Sequence, residues 1–129
     1  MSEFLLLDTN VLIDYLRSRD EAVEYLEALS EPPTISAVTV AELYAGVRDG
    51  KERTVLNELV DKLTVFPITR DVAVKAGLFR RDYFKTHGVG LMDAIIAATA
   101  ESENAVVVTL NKKHFPMFST VVVPYVRTQ

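Results

Sequence analysis

Four polar residues that could bind a cation each follow or enter an apolar segment, although they lie far apart in the sequence. They are Asp8, Glu42, Asp93 and Asn111. Asp8 closes the apolar run FLLL, and Asp93 is the only charged residue in GLMDAIIAATA. Burying an uncompensated carboxylate is costly, so Asp8 must be solvated, cap a helix or hold a cation. Oxygen ligands in a chain without cysteine favour Mg²⁺ or Mn²⁺, which can activate a water molecule for attack on phosphorus.

Strands and helices are predicted to alternate along the chain. Apolar runs bounded by turn residues predict strands over residues 4–7, 34–36, 65–66, 105–108 and 120–123. Helical spacing and capping residues predict helices over residues 11–17, 18–30, 37–47, 51–62, 70–86 and 91–103. The expected caps are Thr9 or Asn10, the capping box Ser18-Arg19-Asp20-Glu21, Ser36 and Thr69. The pattern predicts an α/β fold with a parallel sheet covered on both faces, in one domain over residues 1–129.

This topology predicts that the four polar residues meet. The carboxyl ends of parallel strands lie along one edge of the sheet, where open α/β sheets bind ligands. Asp8 ends the first strand, and Glu42 lies early in the helix that leaves the second. Asp93 begins the helix that enters the fourth strand, and Asn111 follows that strand. Three carboxylates about 5 Å apart would repel by about 3 kcal/mol per pair at an effective dielectric constant of about 20. A divalent cation is therefore expected among them.

Each of these residues also has a simpler explanation. Asp8 could belong to a capped turn, Glu42 to a solvated helix face and Asn111 to an ordinary turn. Asp14 is expected to be an acidic residue in the first turn of a helix. The weaker alternative is that it holds the metal-binding acids in position without binding the metal itself.

Size and composition exclude several classes of protein. The chain has 129 residues, 49% of them hydrophobic, which suits one packed domain and argues against disorder. No cysteine is present, so disulfides and thiolate zinc sites are excluded. The net charge of −4 counts against broad electrostatic coating of nucleic acid. No apolar run approaches the roughly 20 residues that span a bilayer, so a soluble cytoplasmic protein without a membrane segment is expected.

Four segments together resemble the PIN-domain family, and more closely the VapC-type toxin ribonucleases of toxin–antitoxin pairs. The segments are LLLDTNVLIDYL, ISAVTVAELYAGV, GLMDAIIAATA and VVVTLNKKHF, in matching order and spacing. The resemblance covers nearly the whole chain. It implies a three-layer α/β/α sandwich around a parallel sheet of about five strands, ordered 3-2-1-4-5. It also implies an endoribonuclease that depends on Mg²⁺ or Mn²⁺.

The resemblance also assigns roles to individual residues. Three residues, Asp8, Glu42 and Asp93, fall on the catalytic, metal-binding acids of the family. Asn10 and Thr109 fall on positions that support these acids, and Asn111 is expected to support them as well. Relatives commonly carry a fourth acid where this chain has Asn111 or His114. Whether one metal ion binds or two is therefore open. The residues considered for RNA contact are Lys112, Lys113, His114, Arg80 and Arg81, although a solvated loop or helix face would explain them too.

Partners are implied only by the resemblance. Such proteins cut RNA, usually form homodimers and are inhibited by a cognate antitoxin whose C-terminal segment covers the active groove. Two other families share parts of this pattern. A haloacid-dehalogenase-type phosphohydrolase would need an acid where Asn10 stands, and a receiver-like signalling domain would need an acceptor Asp near Pro67 and a Lys near Pro124. A catalytically inactive PIN module that only binds is the remaining alternative.

Overall fold

A four-stranded parallel sheet forms the middle layer of the protein. The computed structural model describes residues 4–127. The strands are β1 (Leu5–Leu7), β2 (Thr34–Ser36), β3 (Thr64–Phe66) and β4 (Val106–Val108), and their order across the sheet is β3-β2-β1-β4. Leu6 lies opposite Thr34 on one side and Val107 on the other. All strands run in the same direction, so their carboxyl ends share one edge.

The predicted fifth strand is reduced to a single bridge between Val122 and Val108. The Thr109 N–H donates to the Val122 carbonyl at 2.9 Å, and the Val122 N–H donates to the Val107 carbonyl at 2.9 Å. The Val108 carbonyl accepts a hydrogen bond from Asp8 N–H, which follows β1, at 2.8 Å. The bridge therefore lies beyond β4, in the expected fifth position. Pro124 follows closely and has no N–H to continue the ladder.

Within residues 4–127, six helices connect the strands and one short 3₁₀ helix follows β4. The helices are α1 (Thr9–Leu16), α2 (Asp20–Glu27), α3 (Ala37–Ala45), α4 (Lys51–Lys62), α5 (Arg70–His87) and α6 (Leu91–Ser102), with the 3₁₀ helix at Lys112–His114. The Ser36 hydroxyl accepts from Val38 N–H at 3.1 Å and the Thr69 hydroxyl from Val72 N–H at 3.1 Å, so both predicted caps are confirmed.

Two predicted helix starts are wrong. Asp8 caps α1, so this helix begins at Thr9, ahead of the predicted start at residue 11. The capping box at Ser18 does not form, because Ser18 has a left-handed backbone with φ 59° whereas a capping residue needs an extended one. Arg19 takes the capping position of α2 without a side-chain hydrogen bond, and the helix ends at Glu27 rather than near residue 30.

The two faces of the sheet bury separate cores because side chains alternate along each strand. Leu6 and Val107 point to the side of α6, where they pack with Ile96 and Phe115. Leu7, Val108 and Ile35 point to the opposite side, where they pack with Val11, Leu12, Leu43 and Leu56 from α1, α3 and α4. The result is the expected three-layer α/β/α sandwich. Between residues 4 and 127, no helix has the length and apolar character needed to cross a membrane.

Candidate active site

Asp8 lies at the carboxyl end of β1 and is almost completely buried. Its Oδ1 accepts a hydrogen bond from Thr9 N–H at 2.8 Å, which caps α1. Its Oδ2 accepts from the Thr109 hydroxyl at 2.8 Å, which ties the end of β1 to the residue after β4. Both carboxylate oxygens are therefore held in place by neighbours from different elements.

Glu42 reaches the same edge of the sheet from α3. Its Oε1 accepts from the Thr9 hydroxyl at 2.7 Å. The Thr9 and Thr39 hydroxyl oxygens lie 3.1 Å apart, and Thr39 is fully buried one helical turn before Glu42. A hydroxyl has a single proton, so Thr9 accepts from Thr39 when it donates to the carboxylate. This chain of hydroxyls orients the Glu42 side chain toward the start of α1.

Asp93 approaches from the first turn of α6. Its Oδ2 lies 3.1 Å from Nδ1 of His114, a half-buried residue of the 3₁₀ helix after β4. The same ring nitrogen lies 2.9 Å from the side-chain amide of Asn111. Asp93 is thereby linked to the loop that follows β4, as Asp8 is through Thr109.

The three carboxylates, here called the acidic cluster, influence one another electrostatically. Burial raises the pKa of Asp8, and the charges of Asp93 and Glu42 raise it further, while the bond from Thr109 opposes the shift. Burial also raises the pKa of Asp93, the charge of Glu42 adds to it, and His114 opposes it. Residues from β1, α3 and α6 therefore converge at the edge that the topology predicted.

The acidic cluster offers carboxylate oxygen donors, which suit a hard divalent cation. In the described part of the chain, however, no three His, Asp or Glu side chains come close enough to form a complete metal-binding group by themselves. Further donors would have to come from water or from a bound ligand.

Comparison with known proteins identifies the family. The sequence model of the PIN domain matches residues 5–118. The chain belongs to the PIN-domain family. "Ribonuclease VapC10" of Mycobacterium tuberculosis is 38% identical over 124 residues, covering 94% of this chain and 92% of the relative. The predicted resemblance to VapC-type proteins is confirmed, and the phosphohydrolase and receiver alternatives are wrong.

Solved structures show the same PIN fold. A toxin–antitoxin complex from Klebsiella pneumoniae contains a chain with a TM-score of 0.82 and 31% identity, with coverage of 95% of this chain and 99% of that one. A DNA-bound VapBC complex from Salmonella typhimurium gives a TM-score of 0.75 at 25% identity, with coverage of 94% and 96%.

The other predicted site residues lie at different distances from the acidic cluster of this PIN domain. Thr109 is fully buried and accepts from Asn111 N–H at 2.9 Å. Asn10 is exposed on the first turn of α1. Lys112 and Lys113 are exposed in the 3₁₀ helix that also carries His114.

Arg80 and Arg81 each interact with another side chain of α5. The Arg80 guanidinium lies 3.7 Å from the centre of the Phe84 ring, and Arg81 Nε lies 2.9 Å from Oδ1 of Asp82. The structure does not bring these two arginines into contact with the acidic cluster, so a role in RNA contact would require a long substrate path.

Both interpretations of Asp14, as a first-turn helix acid and as a support of the acidic residues, are wrong. It lies in the second half of α1, and its side-chain partners are Tyr125, Arg127 and Arg19 instead of the acidic cluster. Arg127 binds both carboxylate oxygens, at 3.0 and 2.9 Å, and the Tyr125 hydroxyl donates at 2.9 Å. Burial alone would raise the pKa of Asp14, but these hydrogen bonds and positive charges bring it below its usual value.

Sequence reasoning missed the hydroxyls of Thr9 and Thr39. Thr9 is the residue after Asp8. Thr39 precedes Glu42 by three residues, a spacing that places Thr39 and Glu42 on one face of a helix. That spacing was the available signal. Two of the side-chain partners of Asp14 gave no such signal, because Tyr125 and Arg127 follow it by more than a hundred residues.

A groove lies beside the acidic cluster of this PIN domain, between the second half of α1 and helices α3 and α4. It has a volume of about 680 Å³ and extends to Glu42. Its floor is apolar, with Ile13, Leu16 and Leu43 among its walls. Three basic residues, Arg17, Arg48 and Lys51, also line it.

Proposed function

We propose that this PIN domain is a metal-dependent endoribonuclease and the toxin component of a VapBC-type toxin–antitoxin pair. The observation that carries the proposal is the convergence of the Asp8, Glu42 and Asp93 carboxylates at one edge of the sheet. The naming of the similar Mycobacterium tuberculosis protein as a ribonuclease supports the activity. The toxin–antitoxin complexes among the similar structures support the pairing.

In this proposal, Asp8, Glu42 and Asp93 hold Mg²⁺ or Mn²⁺. The hydroxyls of Thr9 and Thr109 keep the carboxylates of Glu42 and Asp8 in position, and Asn10 and Asn111 border the site. When bound, the cation would lower the pKa of a water molecule and neutralise charge at the scissile phosphate. Since the acidic cluster alone is not a complete ligand set, oxygen atoms from water or an RNA phosphate complete it, as is usual for Mg²⁺.

Basic residues after β4 would guide the RNA toward the acidic cluster. Lys112 and Lys113 are exposed on the same short helix as His114, whose ring contacts Asp93. These three residues are proposed to contact the RNA backbone, and Arg80 and Arg81 of α5 extend the path. Local contacts of this kind suit a protein whose overall charge is negative, because they neutralise only a few phosphates.

The groove between α1, α3 and α4 is proposed to hold the antitoxin. An apolar helix or strand lying in it would bring a basic side chain of the partner to Glu42, and so block access of metal and RNA. A homodimer is proposed as well. Apolar side chains of α5 and α6, including Val74, Leu78, Leu91 and Met92, are exposed in the single chain.

The activity is tested with purified protein and structured RNA in Mg²⁺ or Mn²⁺. The wild type should cut, and Asp8→Asn and Asp93→Asn should each abolish cutting. Asp71→Asn is a matched control, because Asp71 is also a first-turn helix acid but is exposed on α5. Cutting that survives both active-site substitutions and EDTA would overturn the metal mechanism.

The pairing is tested with the protein encoded by the adjacent reading frame. Co-expression should yield a stable complex by gel filtration, and the complex should not cut RNA. Gly46→Trp should weaken the complex, because Gly46 lines the groove and has free space where a side chain would begin. An unchanged complex in this variant would place the antitoxin elsewhere on the molecule.

A further inference from the structure

A second pocket opens beside the acidic cluster, between the first turn of α1 and the chain that follows β4. It has a volume of about 260 Å³. The residues that line it are Asn10, Leu110, Asn111, Val123, Tyr125, Val126 and Arg127. We call it the side pocket, and we call residues 120–127 the C-terminal segment. Four of the seven lining residues belong to that segment.

The side pocket is connected to the acidic cluster through two of its lining residues. Asn10 follows Asp8 by two positions in the first turn of α1. Asn111 N–H donates to the Thr109 hydroxyl, which in turn donates to Asp8. A polymer bound at the acidic cluster would therefore place its neighbouring unit at this pocket.

The outer wall of the side pocket is held in place by Asp14. The Asp14 side chain is only 3% exposed, and it binds both the Arg127 guanidinium and the Tyr125 hydroxyl. A guanidinium that forms two hydrogen bonds to one carboxylate has a fixed orientation. The C-terminal segment otherwise joins the sheet through the single bridge at Val122. This ion pair joins a buried Asp14 carboxylate to an Arg127 side chain that is 44% exposed, and it orients the outer wall of the pocket before any ligand binds.

The chemistry of the lining suits a flat heterocycle. The carboxamides of Asn10 and Asn111 each offer donors and an acceptor, which can pair with the edge of a base. Leu110 and Val123 supply apolar contact, and the ring of Tyr125 and the plane of Arg127 supply surfaces on which bases stack. The volume lies below the roughly 300–1,000 Å³ of pockets that hold drug-sized ligands, so a single base fits better than a larger group.

We propose that the side pocket binds one nucleobase of the RNA, adjacent to the phosphate at the acidic cluster, and that Asn10 and Asn111 select this base. The inference rests on the proposed ribonuclease function and adds a determinant of sequence preference to it. Asp14 acts as a positioning residue, because it holds Tyr125 and Arg127 without touching the base.

Binding is tested without catalysis, using Asp93→Asn protein free of metal. Nucleoside 5′-monophosphates of the four RNA bases and ribose 5-phosphate are titrated while the side-chain amide signals of Asn10 and Asn111 are followed by NMR. At least one nucleotide should give saturable shifts at both amides, and ribose 5-phosphate should give none. The absence of shifts with all four nucleotides, or equal shifts with ribose 5-phosphate, would overturn the inference.

Selection is tested by mapping cleavage sites on RNA of random sequence. The wild type should prefer one base at a fixed position next to the cut. Val123→Trp should fill the pocket and reduce that preference at least about fivefold, the size expected for one well-placed pair of hydrogen bonds to a base. Ile68→Trp is the control, because Ile68 is similarly exposed, at 41% against 44%, but lies before α5. Asn10→Gln, which keeps the amide but displaces it, should also reduce the preference.

The outcomes separate the two proposals. Cutting without base preference, or a preference unchanged by Val123→Trp and Asn10→Gln, would overturn the side-pocket inference and leave the ribonuclease intact. A wild type that cuts no RNA with either metal would overturn the proposed function, and the NMR titration would still decide whether the pocket binds a base.

Discussion

Asp8 serves two purposes that usually fall to different residues. It caps α1 through Oδ1 and receives the Thr109 hydroxyl through Oδ2, so its burial is compensated by hydrogen bonds. Those bonds do not remove the repulsion from Asp93 and Glu42, and the pKa of Asp8 is raised despite them. At the scale of single residues, the acidic cluster is therefore destabilising for the fold unless a cation is present.

Asp93→Asn should stabilise the metal-free protein, because it removes one of the repelling charges. We expect an increase of about 1–3 kcal/mol in the free energy of unfolding. The substitution should also erase the increase in melting temperature that Mg²⁺ or Mn²⁺ gives the wild type. Asp71→Asn should not stabilise the protein, because a first-turn acid interacts favourably with the helix N-terminus, and it should keep the metal-induced increase in melting temperature. A sharp fall in the melting temperature of Asp93→Asn would instead assign Asp93 a structural role.

The same cluster predicts a pH dependence for the metal-free protein. The folded-state pKa values of Asp8 and Asp93 are raised above the ordinary value of 3.8, so the folded state holds these protons more tightly than the unfolded state. This contribution is fully present below pH 3.8 and is lost as the pH rises through the folded-state pKa values. Between pH 4 and 7, the melting temperature should fall less with rising pH in Asp93→Asn than in the wild type. Equal pH profiles for the two proteins would contradict this prediction.

Thr109→Val tests the link between Asp8 and the loop after β4. Valine has nearly the shape of threonine but cannot donate a hydrogen bond to the buried carboxylate. We expect a loss of about 1–3 kcal/mol in the free energy of unfolding. The pKa of Asp8 should rise further, because the Thr109 bond holds it down. Chemical denaturation and NMR titration of Asp8 measure the two effects, with the exposed Thr120→Val as control.

At the scale of elements, the C-terminal segment is held to the sheet by a single bridge. It forms one bridge at Val122 and then depends on the contacts of Asp14 with Tyr125 and Arg127. The α1 helix therefore contributes at both ends: Asp8 before its first turn serves the acidic cluster, and Asp14 in its second half anchors the segment that closes the side pocket.

Asp14→Asn should destabilise the protein at neutral pH by about 2 kcal/mol, since it weakens hydrogen bonds to a charged, buried group. The folded-state pKa of Asp14 is below 3.8, so its stabilisation is present above that pH and is lost as the pH falls through the folded-state pKa. The difference between wild type and Asp14→Asn in urea unfolding should therefore shrink in strong acid. Asp20→Asn on the exposed surface of α2 is the control, and a difference independent of pH would argue against the ion pair.

At the scale of the whole molecule, the proposed function requires an acidic protein to bind a polyanion. The net charge of −4 and the carboxylates at the site would repel RNA, so in this proposal binding depends on a few local basic residues and on a cation. The three-layer architecture allows this, because the edge that gathers the acids also starts the loop that carries Lys112 and Lys113.

Replacing Lys112 and Lys113 together by alanine should weaken RNA binding for all sequences alike. Each lost contact to a single-stranded phosphate should reduce the slope of log K against log salt by about 0.7. Binding to the inert Asp93→Asn protein, measured by fluorescence anisotropy at several salt concentrations, gives this slope. Arg53→Ala with Lys62→Ala on α4 removes the same charge elsewhere and should leave the slope unchanged; an equal loss there would mean that only net charge matters.

Local sequence chemistry was sufficient for most of the fold. The caps at Ser36 and Thr69 and the apolar strands are determined within a few residues, so the order of elements could be predicted. The order in turn implied the shared edge of Asp8, Glu42 and Asp93, because parallel strands leave no other place for their ends. Ser18 shows the limit of the local approach: a capping sequence was present, but the turn between α1 and α2 required a left-handed backbone there.

Tertiary packing alone decided which distant side chains became partners. Asp14 pairs with Tyr125 and Arg127, and His114 with Asp93, because the packed fold brings together elements that are separated in the sequence. The shortening of the fifth strand to one bridge was decided in the same way. Local sequence patterns indicate whether a residue prefers a helix, a strand or a turn. They do not predict the position of a neighbour more than a hundred residues away, since that position depends on how every intervening element packs.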